Sequence, residues 1–395
     1  MAIKITLTTG GAPHYELGLV SGLIGQHVHI EVIGGDELAN ALIMRNPRVS
    51  FKNLHRKADS AAPFWVKLVR VVAVYARLAA YAARTDSPLF HLQWPYKLVF
   101  LDRTVMNLYY KALGKKLVFT AHNVDGDARD GISSPAKRFS LRFLYRIVDH
   151  IIVHTERMKR EMIERFGTPP EKISVIPHGL MSAVPETALS PREARWQLGL
   201  DATQRILLFF GLIAPYKGLE TLVAALDFLH QKGQKLTLII AGRIKECPDY
   251  WDQVRHLIEQ SGLNGNVVTD LRHVPDEMVE VYLKAADVMV LPYRGIFQSG
   301  ALFLAYRFGL PLIATDVGSF RDDIILGRTG FVCRPDDPED MAKTIETYFA
   351  SDLFANLEER RWEIREYAQE RYSWEHIGGM TRRVYERVLQ NRRAP

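Results

Sequence analysis

The 395 residues are 47% hydrophobic and 24% charged, with a formal net charge of +6. Such a length exceeds one ordinary core and predicts two domains of similar size, and the composition is that of an ordinary soluble globular protein. Cys247 and Cys333 are the only cysteines. Their number and separation argue against a disulfide framework or a zinc site and predict a reducing, cytoplasmic setting.

Short Val/Ile/Leu-rich runs alternate with helical patterns along the whole chain. In the first half they fall at 4–9, 27–34, 89–94, 116–123, 150–155 and 172–179. The opening "MAIKITLTTGG" reads as a strand and turn rather than a signal peptide. In the second half the runs fall at 205–211, 236–243, 266–271, 287–293, 311–315 and 330–335, with helical patterns at 216–231 and 275–286 among those between them. Continuous apolar strands separated by helices predict parallel sheets covered on both faces. Two such sheets give an α/β fold of two Rossmann-like domains: residues 1–180, a linker at 181–200, and residues 201–375. A terminal helix at about 376–395 is expected to pack back on the first domain.

Residues 1–180 carry 25 basic and 15 acidic side chains, leaving 26 and 30 in the remainder. A half of net +10 joined to one of net −4 suggests that the first faces a polyanion: nucleic acid, a membrane surface or a phosphorylated substrate. The stretch 63–84 reads as a long helix with Lys67, Arg70, Arg77 and Arg84 among aliphatic and aromatic residues. Charge interrupts it too often for a membrane span, but a basic amphipathic helix can lie on an anionic surface. An ordinary sheet-covering helix is the competing reading.

Ligands of doubly wound sheets bind beyond the carboxyl ends of the strands, so the residues just after each strand matter most. After the first strand come Gly10 and Gly11, a pair that lets a ligand approach the backbone but lacks the GxGxxG spacing of a dinucleotide site. His122 and Asn123 end the run at 116–123. A histidine there can hydrogen-bond a polar substrate or stabilise developing charge. Asp125, Asp127, Arg129 and Asp130 follow, either as binders of acceptor hydroxyls or as a solvated loop. Gly211 ends the first strand of the second half, with Lys217 in the loop beyond it and Gly218 opening a helix. An ammonium beside helix N-terminal amides suits a diphosphate. Arg243 ends the next strand as a second cation, and a turn at Gln298-Ser299-Gly300 opens an apolar helix.

Taken in order, "TAHN", "IIVHTERMKREM", "VIPHG", "FFGLIAPYKGLETL", "IIAGR", "VYLKAADVMVLPY", "SGALFLAYRFGLPLIATDVGS", "GRTGFVCRPDDPEDMAKTI" and "YSWE" resemble family 4 of the retaining glycosyltransferases. That resemblance implies a GT-B fold, with two Rossmann-like domains whose parallel sheets face across a cleft. It also implies sugar transfer with retention from a nucleoside-diphosphate sugar, UDP- or GDP-linked, to a hydroxyl, usually without a metal ion or other cofactor. By the same resemblance Ser299, Gly300 and Ala301 offer backbone N–H groups to the diphosphate, Lys217 neutralises it and Gly11 approaches it. His122 touches the donor sugar as the catalytic candidate, and the acceptor enters from the first domain. Arg243 and Gly211 complete the diphosphate set, Gln298 is the donor-sugar candidate, and Asn123, Asp127 and Arg129 are the acceptor-side candidates.

The chain departs from the family at two acids. Ile296 and Leu304 stand where a Glu-x7-Glu pair is usual, and Leu212 stands where an arginine commonly partners the lysine, leaving Arg243 or Arg294 as substitutes. An enzyme of polysaccharide or glycolipid assembly is expected, cytoplasmic or peripheral at the inner membrane face. Its expected acceptor is phosphorylated, lipid-linked or a saccharide, and no nucleic acid is expected as partner. A non-catalytic nucleotide-sugar-binding subunit is the alternative.

Overall fold

The apolar runs become strands because β-branched and aliphatic side chains fit a sheet buried on both faces. A computed structural model describes residues 3–54, 63–124, 135–181, 184–245 and 247–390. The chain divides into two compact units, residues 1–179 with 372–395, and residues 180–371.

The first unit holds a seven-stranded sheet: β1 (Lys4–Thr8), β2 (His29–Gly34), β3 (Val49–Asn53), β4 (Leu89–Leu92), β5 (Lys116–Ala121), β6 (His150–Val153) and β7 (Ile173–Val175). Their spatial order is β3-β2-β1-β4-β5-β6-β7, with every pairing parallel. The sequence reading missed β3. It is an edge strand, half-exposed along its length, so its "VSFKN" carries no continuous apolar run.

The second unit holds β8 (Arg205–Phe210), β9 (Leu236–Ala241), β10 (Val267–Asp270), β11 (Val288–Leu291), β12 (Leu312–Thr315) and β13 (Gly330–Cys333). Their order is β10-β9-β8-β11-β12-β13, again all parallel. Strand order reverses at β1/β4 in one sheet and at β8/β11 in the other. These switch points leave a crevice beyond the strand ends, where α/β sheets take their ligands.

Proline at the first helical positions starts several covering helices, among them Pro13–Gly25, Pro248–Gln260 and Pro338–Phe349, because its fixed φ and missing N–H cost nothing there. Part of the expected linker is helical as well. Residues Pro191–Gln197 form a helix opened by a reciprocal capping box between Ser190 and Glu193, and Ala194 is buried with Val281 and Ala285 of the second unit. The C-terminal helix Trp374–Gln390 lies in the first unit against Pro13–Gly25. Glycines make that approach possible: a Cβ on Gly22 would sit 2.0 Å from the Trp374 carbonyl oxygen, and one on Gly18 would lie 1.9 Å from the Trp374 ring.

Candidate functional site

In the second unit the loops after β8 and β11 are locked together at the switch point. The Arg294 amide donates to the Tyr216 carbonyl at 2.9 Å. Gly218, at φ +61°, leaves no room for a side chain, since its Cβ would lie 2.1 Å from the Pro292 carbonyl oxygen. This packing buries Lys217, which is 8% exposed. Its Nζ stands 4.9 Å from the centre of the Tyr293 ring and 3.2 Å from the position a Cβ on Gly211 would occupy. Lys217 has no carboxylate partner among the described residues. The stem of Lys217 is packed away while its ammonium has no acid among those residues to answer it, which leaves the charge available to an anion.

The turn at 298–300 stands close to the same ring. Ser299 is buried, and its hydroxyl lies 3.4 Å from the Tyr293 hydroxyl. It caps the helix Gly300–Arg307 by accepting from the Ala301 amide at 3.3 Å. Ala301 is therefore already engaged, contrary to the expectation of three free amides, whereas the amides of Ser299 and Gly300 have no acceptor among the described residues. Free amides at a helix start favour an anion. Gln298 adds a buried side-chain oxygen without a hydrogen-bond partner. Two contacts hold the loop in place. The Thr315 hydroxyl donates to the Tyr293 carbonyl, and a Cβ on Gly318 would meet the Ile296 carbonyl oxygen at 2.3 Å.

The two candidate arginines divide clearly. Arg294 is committed to Glu220 and Asp336, so its charge is spent locally. Arg243 is exposed beyond β9 with no ion pair among the described residues. Of the positions where acids are usual, Leu304 is buried in the core and Ile296 is partly exposed. The helix behind the turn buries Leu302, Phe303, Leu304, Ala305 and Tyr306, which accounts for its all-round apolar sequence.

In the first unit the β1/β4 switch point is occupied from within. Glu16 Oε1 accepts from the amides of Gly10 at 2.9 Å and Gly11 at 3.2 Å, and burial raises its pKa. A Cβ on Gly11 would lie 2.8 Å from the Trp94 ring. Gly11 thus makes room for Trp94 and gives its amide to Glu16.

Trp94 stacks on His122, with ring centres 4.7 Å apart and planes within 4°. His122 is hydrogen-bonded at both ring nitrogens, Nδ1 to His154 Nε2 at 3.1 Å and Nε2 to the Gln93 carboxamide at 3.0 Å. Tyr15 meets His122, His154 and His178 through ring contacts. Burial lowers the pKa of His154 to about 3 and of His178 to about 4, and pushes that of His122 well below its usual value, helped by neighbouring histidines. All three are neutral near pH 7. Asn123 is half-buried next to His122, and Asp127 and Arg129 lie outside the described residues.

Trp94 also lines a pocket with Tyr96, Asp102, Arg103, Met106 and Asn107, and its indole N–H is buried without a partner. Burial raises the Asp102 pKa to about 6. Sequence reasoning passed over Tyr293, Trp94, Gln93, Glu16 and His154. A signal for the last was available: "TAHN", "VHTE" and "IPHG" place a histidine at the end of three successive strands.

Comparison with known proteins agrees with this architecture. A family model described as glycosyltransferase family 4 matches residues 9–181, and one described as glycosyl transferases group 1 matches residues 204–351. The chain belongs to these glycosyltransferases, and its two-unit fold is of the GT-B type. A curated relative, the D-inositol 3-phosphate glycosyltransferase of Corynebacterium glutamicum, is 25% identical over 70% of this chain and 67% of its own. Across eight such relatives the matched stretch spans between 47% and 67% of their length. Among solved structures, sucrose-phosphate synthase from Thermosynechococcus elongatus superposes with a TM-score of 0.74 at 20% identity, over 98% of this chain and 100% of that one. Anabaena HepE in complex with UDP and glucose gives 0.73 at 16% identity, over 97% and 99%.

Proposed function

We propose that the protein transfers a sugar, with retention, from a nucleoside-diphosphate sugar to a hydroxyl acceptor. The observation that carries this is Lys217, a largely buried side chain whose ammonium stands beside Gly211 with no carboxylate partner among the described residues. The free amides of Ser299 and Gly300 and the exposed Arg243 join it in a seat for a diphosphate. The Gln298 oxygen accepts a hydrogen bond from a donor-sugar hydroxyl. Catalysis is then largely electrostatic: the leaving diphosphate is stabilised where its charge develops. That relatives are glycosyltransferases, and that a protein of the same fold binds UDP and glucose, supports the reading.

The first unit takes the acceptor, with His122 serving the reacting sugar. Its helix Phe64–Arg84 bonds to the segment beside it through Tyr75 to Asp102 and Tyr109 to the Ala79 carbonyl. The two leave Trp65, Val69, Val72, Phe100 and Val105 more than half exposed, among Lys67, Arg70 and Arg77. No helix among the described residues is long and apolar enough to cross a membrane. The combination fits peripheral binding to an anionic bilayer, and with it a lipid-linked acceptor.

The test is donor turnover against a panel of UDP- and GDP-sugars, with and without polyprenyl-phosphate-linked, phosphorylated and free saccharide acceptors. Acceptor-dependent release of the nucleotide, with product of unchanged anomeric configuration by NMR, is expected. Donor binding without turnover under any acceptor would instead indicate the non-catalytic subunit. Turnover without an acceptor would indicate a hydrolase or epimerase.

A further inference from the structure

The histidines at the strand ends are joined by hydrogen bonds that cross four strands. Parallel register sets them side by side: Ala121 pairs with Val153 and Val153 with Val175, which brings His122 beside His154 and His154 beside Ile176. Likewise Leu92 pairs with Phe119, setting Gln93 against Thr120. His154 Nδ1 lies 2.9 Å from the Ile176 carbonyl oxygen. A carbonyl can only accept, so the proton of neutral His154 sits on Nδ1 and its Nε2 is a bare acceptor. His122 Nδ1, 3.1 Å from that Nε2, must then carry a proton and donate it.

From this we infer that His154 and Gln93 are positioning residues that hold His122 as its Nδ1–H tautomer, so that His122 Nε2 meets a sugar hydroxyl as a hydrogen-bond acceptor and not as a donor. The remaining contacts close consistently. The two ends of a carboxamide have the same shape, and the network decides which faces which neighbour. An oxygen of Gln93 against His122 Nε2 would demand a second proton on that ring, a cation in a site whose burial and neighbouring histidines oppose charge. The Gln93 NH2 therefore donates to His122 Nε2, and its oxygen turns to the His91 side. His91 Nε2–H serves Thr120 Oγ1 at 2.7 Å and the Gln93 carboxamide at 3.0 Å. His91 Nδ1 accepts from the Tyr385 hydroxyl at 2.6 Å. Every proton then points one way, from Tyr385 to the Ile176 carbonyl, and a substrate hydroxyl takes the place of the Gln93 NH2.

This rests on the proposed role of His122, but the tautomer can be read without substrate. Full-length protein labelled with 15N-histidine is examined at neutral pH by long-range nitrogen–proton correlation, together with the His154→Gln and His154→Leu variants. In the native protein His122 is expected to carry its proton on Nδ1. His154→Gln, whose carbonyl oxygen can still accept, should keep it there. His154→Leu should move it to Nε2, the form imidazole ordinarily prefers. In turnover, kcat should fall about tenfold or more in His154→Leu with the donor KM within about twofold, and recover in His154→Gln. Native His122 protonated on Nε2, or a tautomer indifferent to His154→Leu, would overturn the inference. If His154→Leu does not fold, His154→Gln alone still tests it, since His122 protonated on Nε2 there would also contradict it. The expected tautomers in a protein that transfers no sugar would count against the functional reading alone.

Discussion

The first unit's site is assembled from histidines that the fold keeps uncharged. His91 and His154 are buried and His122 and His178 half-buried, and desolvation lowers all four pKa values, to about 3 for His91 and His154 and about 4 for His178. Below about pH 6.5 the unfolded chain binds protons on these groups that the folded chain does not. Their stabilising effect is therefore complete above pH 6.5 and is lost as pH falls toward 3–4, at up to about 1.4 kcal/mol per pH unit for each. Asp102 and Glu16, whose pKa values are raised, act in the opposite sense. They keep a proton that the unfolded chain gives up above about pH 4. His150, lowered to about 4, adds to the first group and Asp287, raised by burial, to the second. Five histidines outweigh three carboxyls, so the Tm should drop on going from pH 7.5 to 5.5. A Tm that is flat or higher at pH 5.5, followed by calorimetry, would contradict this.

At the scale of elements, the tightest joint in the first unit is between the helices Pro13–Gly25 and Trp374–Gln390. Gly22 packs on the Trp374 backbone and Gly378 on Gly22, while Ile377, Val384 and Tyr385 join the core with Leu19 and Leu23. Gly22→Val is expected to pry the helices apart and cost several kcal/mol by overpacking against backbone that cannot give. Hydrogen exchange should then quicken in β1 and β2 while β8 to β12 keep their protection. Equal quickening in both sheets would show that the two units unfold as one. Elements of this kind were readable in advance where the chemistry is local. Continuous apolar runs marked the buried strands, and helical patterns between them marked the covering helices. Edge strand β3, which alternates with polar residues, left no such mark. The site was half legible. Lys217 and the Gln298-Ser299-Gly300 turn follow strands and so declared themselves. Glu16 filling the Gly10-Gly11 amides, Trp94 lying over Gly11 and His154 reaching His122 depend on which strands become neighbours. One strand-end motif does not reveal its neighbours.

For the molecule as a whole, two parallel sheets each present a switch point, and they are furnished differently. The first is filled by its own Glu16, Trp94 and histidines. The second keeps an uncompensated cation, free amides and a bare oxygen, the chemistry of an anion with hydroxyls attached. That contrast is the basis for proposing that the nucleotide binds the second unit, and Lys217 is the residue that tests it. The most direct measurement is a calorimetric titration of the wild-type protein and Lys217→Met with UDP, GDP and ADP. The account predicts that at least one nucleotide binds the wild type, and that the variant, still folded by circular dichroism, binds it at least about tenfold more weakly, as expected for losing a desolvated charge pair. Equal affinity in a folded Lys217→Met variant, or no binding of any nucleotide to the wild type, would contradict it.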